Sequence, residues 1–301
     1  MLIFSGSSNI SLAKKIAKGF NKNLSEIEIV TFPDKENRVR VIDKVLDQDV
    51  IVIQSTGVSP NRYYMELFFI LDSLKRSGAK SVTLVLPYLG YQRQDHIFRS
   101  GEAVSLEVIV NLLKTLKVDS VISFDLHSLR IEEFFKTKSI KLSHLSALNV
   151  FASEIKKMKG KDLVLVSPDM GGIRRIKLLS EILDGRLPYI SIEKNRDLDS
   201  GEVESVKING KVGKIAIIVD DVISTGKTLI SAAQLLTKNG AQEIYVMATH
   251  GIFAGNGPED LQKSIIKKVI VSDTIEVRAN RRFKKLHVVS ISPLILEALR
   301  K

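Results

Sequence analysis

The residues with the clearest chemical potential are two adjacent acids, Asp220 and Asp221, which follow the apolar run at 215–219. A short polar turn comes next, at 224–228, and a helical pattern begins at Leu229. Backbone N–H groups at the start of a helix attract anions, and nearby hydroxyl side chains can donate hydrogen bonds to a phosphate. Carboxylates accept hydrogen bonds from hydroxyl groups or help to hold a metal ion. The pattern therefore predicts a site for a ligand that carries both a phosphate and neighbouring hydroxyls.

The Gly-Lys-Thr triplet at 226–228 also suggests a P-loop, which would bind a nucleotide in a different way. A P-loop needs a glycine five positions before Gly226, and that position holds Asp221. A carboxylate there would repel the phosphates, so we exclude a P-loop. The simple alternative is an ordinary strand-to-helix turn in which the two acids only cap the helix.

Four other polar segments follow predicted strands, and each contains residues suited to phosphate or metal chemistry. They are 87–95 with Arg93, Gln94 and Asp95, 125–127 with His127, 167–172 with Asp169, Gly171 and Gly172, and 193–196 with Lys194 and Arg196. Adjacent glycines allow backbone N–H groups to approach an anion closely. Because ligands gather at the carboxyl ends of parallel strands, we expect these segments to contribute to ligand binding.

The elements that must position these residues alternate between strand-length apolar runs and helical patterns. Strands are predicted at 2–4, 27–32, 50–54, 82–86, 120–124, 163–166, 189–192, 215–219, 244–248 and 268–271. Helices are predicted at 9–20, 61–76, 104–116, 145–158, 173–183 and 229–239, with a final short helix from Ser292. The alternation predicts an α/β fold with mainly parallel sheets flanked by helices. In the helix at 61–76 we expect a buried stripe of Met65, Phe68, Phe69, Leu71 and Leu74.

The length of 301 residues allows about two domains. We expect an N-terminal domain at 1–143 and a C-terminal domain at 144–285, with the junction near 138–146 and a polar segment at 194–204. The segment 286–301 is expected to pack back on the first domain.

Composition excludes several classes of protein. There is no cysteine, so disulfides and thiolate metal sites are impossible. No apolar run approaches the roughly 18 residues that span a bilayer, and no signal-peptide pattern is visible, so we expect a cytoplasmic protein without membrane partners. The formal net charge of +11 could attract nucleic acid. The basic residues are spread along the chain without an aromatic-rich RNA-binding motif, and the densest run, at 278–285, is interpreted as a solvated connector. We therefore expect no nucleic-acid partner.

The loop at 220–228 resembles the phosphoribosyl-diphosphate loop that phosphoribosyltransferases share with ribose-phosphate pyrophosphokinases. Segments at 4–6, 32–36, 249–253 and 272–274 extend the resemblance to the pyrophosphokinases over nearly the whole chain. The resemblance implies two phosphoribosyltransferase-like α/β domains and a homo-oligomer built from dimers. It also implies transfer of the diphosphoryl group of ATP to the anomeric hydroxyl of ribose 5-phosphate, with release of AMP, for nucleotide biosynthesis.

The resemblance further assigns the site residues and a magnesium ion. It places Asp220, Asp221, Ser224, Thr225, Gly226, Lys227 and Thr228 at ribose 5-phosphate, and Asp169, Gly171 and Gly172 in a diphosphate-binding turn. It places Phe32, Asp34, Glu36, Arg93, Gln94, Asp95 and His127 at ATP, with His127 and Asp169 also at the metal. Lys194 and Arg196 match a mobile catalytic segment that closes over the reacting phosphates.

Departures from the family pattern leave alternatives open. Ser224 and Lys227 replace an acid and a small residue, and the segments 96–98 and 197–202 differ from common bacterial members, which favours the compact archaeal type. A phosphoribosyltransferase that consumes phosphoribosyl diphosphate is one alternative, although it would lack the ATP-binding half. A catalytically silent regulatory subunit is another, although it would be expected to lose Lys194, Arg196, His127 or Asp169.

Overall fold

The computed structural model describes residues 1–158, 160, 162–196 and 203–301, without the side chains of 194–196 and 203–206. The chain divides into two compact units. The first contains Met1–Ser146, Thr274–Glu276 and Ser290–Lys301, and the second contains Ala147–Asp273 and Val277–Val289. The α/β class and the two-domain organisation predicted from the sequence are confirmed.

The first unit is built on a parallel sheet. Its elements in chain order are β1 (Leu2–Ser5), α1 (Ile10–Gly19), β2 (Ile27–Thr31), β3 (Asn37–Val41), β4 (Asp49–Ile53), α2 (Pro60–Arg76), β5 (Ser81–Val85), α3 (Ser105–Thr115), β6 (Ser120–Phe124), α4 (Arg130–Thr137) and β7 (Lys141–Leu145). Five strands pair in the order β1-β4-β5-β6-β7, all parallel, and β2 and β3 form a separate antiparallel hairpin. Apolar strand residues such as Val52 and Leu84 pack in one core with helix residues such as Leu67 and Leu113.

The second unit contains a larger sheet. Its elements are α5 (Leu148–Lys156), β8 (Leu163–Ser167), α6 (Ile173–Ile182), β9 (Tyr189–Arg196), β10 (Val203–Asn209), β11 (Ile215–Ile223), α7 (Lys227–Lys238), β12 (Glu243–Gly251), α8 (Gly257–Lys263), β13 (Lys268–Ser272) and β14 (Leu286–Val289). Seven strands pair in the order β10-β9-β8-β11-β12-β13-β14. All neighbours are parallel except β10 and β9. Among the described residues, no helix is both long and apolar enough to cross a bilayer.

A last helix, α9 (Ser292–Arg300), returns to the first unit. It packs on α1, where a Cβ added to Gly19 would lie 2.3 Å from Leu296 Cδ1. The Arg300 guanidinium donates to the Gly19 carbonyl at 2.9 Å. The expectation that all of 286–301 packs on the first domain is wrong for 286–289, because these residues form the edge strand β14 of the second sheet.

The predicted buried stripe of α2 is wrong at two positions. Met65 and Phe69 are exposed, at 48% and 39% of their surface, and line an open groove of ≈ 870 Å³ beside the β2–β3 hairpin, the hairpin groove. Glu66 is buried instead, since its carboxylate accepts hydrogen bonds from Ser7 and Gln54. Because a hydrophobic pattern assigns a glutamate to the solvent-exposed face, the buried face predicted for α2 was rotated away from Glu66.

Candidate active site

The strand order of the second sheet reverses between β8 and β11. From β8 the chain continues to β9 on one side, whereas from β11 it continues to β12 on the other. Such a switch point leaves a crevice at the carboxyl ends of the two strands, where ligands bind in open α/β sheets. Two of the predicted segments, 167–172 and 220–228, lie at the carboxyl ends of these two strands.

The acid pair lies inside β11 rather than after it. The strand was predicted to end at Val219, but its ladder with β12 continues through the pair of Asp220 and Ala248 as far as Ile223. Because β12 also extends to Gly251, the backbone groups beyond the acids keep partners in the sheet. The carboxylates are therefore held by the carboxyl-terminal half of the strand.

Arg175 faces this acid pair and was not among the predicted site residues. One of its guanidinium nitrogens lies 3.4 Å from Asp220 Oδ1, and the other lies 3.6 Å from Asp221 Oδ1. Burial raises the pKa of Asp220 well above its usual range, the charge of Asp221 raises it further, and Arg175 opposes this only in part. Burial and the like charge of Asp221 thus disfavour ionised Asp220 despite Arg175, so hydroxyl donors or a cation that binds there would stabilise the pair. The sequence signal that could have indicated Arg175 was its place in the first turn of α6, the helix that follows the two adjacent glycines.

The turn after β11 leaves the start of α7 open. Gly226 has a φ of +80°, and a Cβ there would lie 3.0 Å from Leu261 Cγ, so glycine suits both the backbone and the space. Thr225, Lys227 and Thr228 are exposed, and Ser224 is half-buried with its carbonyl bound by the Ala254 N–H at 2.9 Å. The 12-residue helix has no acid in its first turn and no side-chain cap. This arrangement suits a phosphate.

The turn after β8 is stabilised by hydrogen bonds between its own residues. The buried Ser167 hydroxyl donates to the Asp169 carbonyl at 2.7 Å, and the Gly172 N–H donates to Asp169 Oδ1 at 3.1 Å. A Cβ on Gly172 would lie 2.4 Å from Ser167 Oγ, whereas one on Gly171 would meet only Asp169 Oδ1, at 3.4 Å. Asp169 and Gly171 are exposed, so the turn presents a carboxylate and backbone to a ligand.

The predicted catalytic segment is partly strand. Lys194 and Arg196 lie in β9, opposite Val206 and Val203 of β10. The strand was predicted to end at Ile192, and it continues to Arg196 because an antiparallel partner strand pairs with it. Their side chains lie outside the described residues, and their catalytic role stays a prediction.

In the first unit, the loop after β5 carries Arg93, Gln94 and Asp95. Arg93 and Gln94 are exposed, whereas Asp95 is buried and accepts a hydrogen bond from the Ser128 hydroxyl while contacting His96 Nδ1 at 2.7 Å. Burial alone would raise the pKa of Asp95, but these two hydrogen bonds outweigh it and hold the pKa below its usual range. Asp95 is therefore an ionised anchor of the loop.

His127 lies in the turn after β6 and is tied to the same loop. The backbone N–H of His127 donates to Oε1 of the buried Gln92 at 3.0 Å. The residue His127 as a whole is exposed to solvent. The structure thus brings two of the predicted segments, 87–95 and 125–127, into direct contact.

Phe32, Asp34 and Glu36 occupy the turn of the β2–β3 hairpin, which is separate from the five-stranded sheet. The Phe32 N–H donates to the Glu36 carbonyl at 2.8 Å, and the Glu36 N–H donates to Asp34 Oδ1 at 3.1 Å. The Phe32 side chain is 40% exposed, and the Arg38 guanidinium lies 5.9 Å from the centre of its ring. The ring is thus available for stacking and is not part of the core.

Comparison with known proteins identifies the family. The sequence model of the N-terminal domain of ribose phosphate pyrophosphokinase matches residues 1–116, and that of the phosphoribosyl synthetase-associated domain matches residues 195–301. A ribose-phosphate pyrophosphokinase from Fusobacterium nucleatum is 36% identical over 300 residues, which cover 99% of this chain and 93% of that protein. The chain belongs to the ribose-phosphate pyrophosphokinase family.

Further comparisons agree with this family. A ribose-phosphate pyrophosphokinase from Bacillus caldolyticus is 36% identical over 298 residues, with 99% and 93% of the two chains covered. The crystal structure of a phosphoribosylpyrophosphate synthetase from Mycobacterium smegmatis is similar with a TM-score of 0.92 and 32% identity, covering 99% of this chain and 97% of that one. These relatives are bacterial, so the expected archaeal subtype finds no support among them.

The metal predicted for a ribose-phosphate pyrophosphokinase can be compared with the donors present. Within the described residues, no group of three or more His, Asp or Glu side chains is arranged to hold a metal ion. His127 belongs to the first unit, and Asp169 belongs to the second. Magnesium keeps several waters and is commonly held by one or two carboxylates together with substrate phosphates. The exposed Asp169 carboxylate fits that chemistry, and so does the acid pair, where burial raises the pKa of Asp220.

Proposed function

We propose that this chain transfers the diphosphoryl group of ATP to the anomeric hydroxyl of ribose 5-phosphate. The products are 5-phospho-α-D-ribose 1-diphosphate and AMP, and the reaction serves nucleotide biosynthesis. The observation that carries the proposal is the acid pair and open helix start at the switch point of the second sheet, in a chain that matches pyrophosphokinases over its full length.

Ribose 5-phosphate binds at the carboxyl end of β11 in this proposal. Asp220 and Asp221 accept hydrogen bonds from the two ring hydroxyls, and the residues 224–228 bind the 5-phosphate through backbone N–H and hydroxyl groups. The raised pKa of Asp220 supports this assignment, because burial and the charge of Asp221 disfavour the ionised carboxylate and hydroxyl donors would stabilise it.

ATP binds through residues of the first unit. Arg93, Gln94 and His127 contact the phosphates, and Asp95 holds their loop in place. The exposed Phe32 ring stacks on the adenine, while Asp34 and Glu36 supply acceptors for its amino group. Arginine suits this role because its guanidinium can form two parallel hydrogen bonds with a phosphate.

Transfer of the diphosphoryl group depends mainly on alignment and on neutralisation of the charge that spreads over the phosphate oxygens. Lys194 and Arg196 supply that positive charge, and the turn with Asp169, Gly171 and Gly172 holds the diphosphate. Magnesium, when bound, would neutralise part of the charge on the phosphates. Asp169 would supply a protein carboxylate to it, and His127 would act on it directly or through water.

The working enzyme is a homo-oligomer built from dimers. The exposed hairpin turn and the exposed Met65 and Phe69 of the hairpin groove support this, since a partner subunit would cover them. A cytoplasmic location also remains a prediction, based on the absence of cysteine.

The decisive test is a complete reaction. The purified chain is mixed with ATP, magnesium and ribose 5-phosphate, and AMP and phosphoribosyl diphosphate are quantified. We expect equal amounts of the two products, and neither product without ribose 5-phosphate. AMP without phosphoribosyl diphosphate, or neither product in the full mixture, would refute the proposal.

The sugar site is tested by Asp221→Ala. We expect calorimetry to show a larger loss of affinity for ribose 5-phosphate than for ATP, because the lost carboxylate faces the sugar. Glu181→Ala is the matched control, since it removes an exposed carboxylate of α6 in the same unit. A larger loss for ATP would contradict the assignment.

A further inference from the structure

The turn that carries His127 begins with a strained residue. Asp125 has a φ of +34°, in a region that residues other than glycine rarely adopt. Such a conformation persists only where surrounding bonds hold it. Here the Ser146 hydroxyl donates to Asp125 Oδ1 at 2.6 Å, and the Asp125 N–H donates to the Leu145 carbonyl at 2.9 Å.

Each of the three successive backbone amides of this turn has its own partner. The Asp125 N–H binds the Leu145 carbonyl, the Leu126 N–H binds His144 Nε2 at 3.0 Å, and the His127 N–H binds Gln92 Oε1 at 3.0 Å. Two of these partners lie side by side at the end of β7. The turn is thus clamped between β7 and the loop after β5.

The His144 bond requires one particular tautomer. A ring nitrogen that accepts an N–H must carry a lone pair, so the proton of the neutral ring lies on Nδ1. Nδ1 is 2.8 Å from Glu132 Oε1, in α4, and can donate to it. A carboxylate that fixes the tautomer of a histidine is a common supporting arrangement in functional sites. Glu132, His144 and Leu126 therefore form a chain of bonds that ends one residue before His127.

We propose that His144, oriented by Glu132, is a positioning residue for His127 in the reaction. It contacts no substrate, and it sets the backbone from which the His127 side chain reaches the ATP phosphates. This role rests on the proposed function, in which His127 binds ATP. It follows from the bond to the Leu126 amide, which only an unprotonated Nε2 can accept.

The kinetic test compares two substitutions. His144→Phe keeps a ring but removes the acceptor, and we expect kcat/KM for ATP to fall by about 10-fold to 100-fold, as is typical when such a supporting partner is lost. The affinity for ribose 5-phosphate should stay unchanged. In His144→Gln the side-chain oxygen can still accept the Leu126 N–H, so most of the activity should return. His287→Phe is the matched control, because His287 also faces a glutamate, Glu154, at 3.6 Å in the other unit.

Hydrogen exchange of the Leu126 amide in the full chain gives a second readout that does not depend on turnover. Exchange should be faster in His144→Phe than in the wild type, and should return toward the wild-type rate in His144→Gln. Unchanged exchange and unchanged kcat/KM in His144→Phe would overturn the proposal. Faster exchange with wild-type kinetics would also overturn it, because the bond would then be structural only.

The wild-type assay separates this proposal from the proposed function. An inactive wild-type chain that binds neither ATP nor ribose 5-phosphate would refute the function itself. An active wild type with an equally active His144→Phe variant would refute only the role of His144. If His144→Phe does not fold, Glu132→Gln on the exposed side of α4 tests the same chain of bonds, with a smaller fall in kcat/KM expected.

Discussion

The turn after β8 allows a sharp test of how its two glycines differ. Gly172→Ala would place a Cβ 2.4 Å from Ser167 Oγ, whereas Gly171→Ala would place one in ordinary contact, 3.4 Å from Asp169 Oδ1. The Ser167 hydroxyl can rotate away from the new methyl group. It then gives up its bond to the Asp169 carbonyl and is left buried without that partner.

The size of the effect follows from two opposing contributions. A buried hydroxyl that loses its hydrogen bond costs about 1–3 kcal/mol. Replacing glycine by alanine where the backbone allows it returns about 0.4–1 kcal/mol, and Gly172 has an ordinary φ of −84°. We therefore expect Gly172→Ala to destabilise the protein by about 1.3 kcal/mol at the midpoints of these ranges and by about 2.6 kcal/mol at most. The midpoint corresponds to a fall in melting temperature of roughly 3–5 °C. Gly171→Ala should be neutral or slightly stabilising.

Thermal denaturation of a double-mutant cycle tests this account. In a Ser167→Ala background there is no hydroxyl to displace, so adding Gly172→Ala should cost almost nothing. If Gly172→Ala is as harmful in that background as in the wild type, the clash with Ser167 is not the cause. Equal effects of Gly171→Ala and Gly172→Ala would also refute the reasoning.

Three further predictions concern charged residues. Since burial raises the pKa of Asp220, the fold loses stability as the pH rises from the usual carboxylate range through that raised pKa. Asp220→Asn should therefore raise the melting temperature at about pH 8 and change it little at about pH 3. Asp95 has a lowered pKa, so Asp95→Asn should destabilise the fold by about 1–3 kcal/mol at neutral pH. Thermal denaturation should show this loss becoming smaller as the pH falls below about 4. Lys194→Ala should slow turnover roughly 100-fold or more without weakening ribose 5-phosphate binding. Lys207→Ala, which removes an exposed lysine of β10, should leave turnover unchanged. Full turnover in Lys194→Ala would contradict the catalytic role assigned to Lys194.

Several elements could be predicted from the sequence because burial on both faces of a parallel sheet produces continuous apolar runs. The strands at 50–54, 82–86 and 120–124 are confirmed within one residue at each end. Strands with one polar face gave no such run. β3 alternates valines with arginines, and β7 carries Ser143 and His144, so both were missed. The helix α4 was also missed, although Ile131 and Phe135 have the spacing of one buried face.

In the candidate site, too, some residues could be predicted from the sequence and others could not. The acids, glycines and hydroxyls of 167–172 and 220–228 could be placed on strand ends, since their types and their order along the chain are local. Arg175 was missed because its partner acids lie 45 and 46 positions further along the chain, and only the pairing of β8 with β11 brings them together. His144 was missed for a similar reason, because its bond to Leu126 depends on the pairing of β6 with β7.

The return of α9 to the first unit sets the order in which the nascent chain can complete its parts. Residues 290–301 leave the ribosome only after every segment of the second unit has been made. Until then α1 lacks the covering helix α9, which packs over Gly19 and contributes the buried Ile295. The domain that is synthesised first is therefore completed last, and its α1 surface stays uncovered until the second unit has been synthesised.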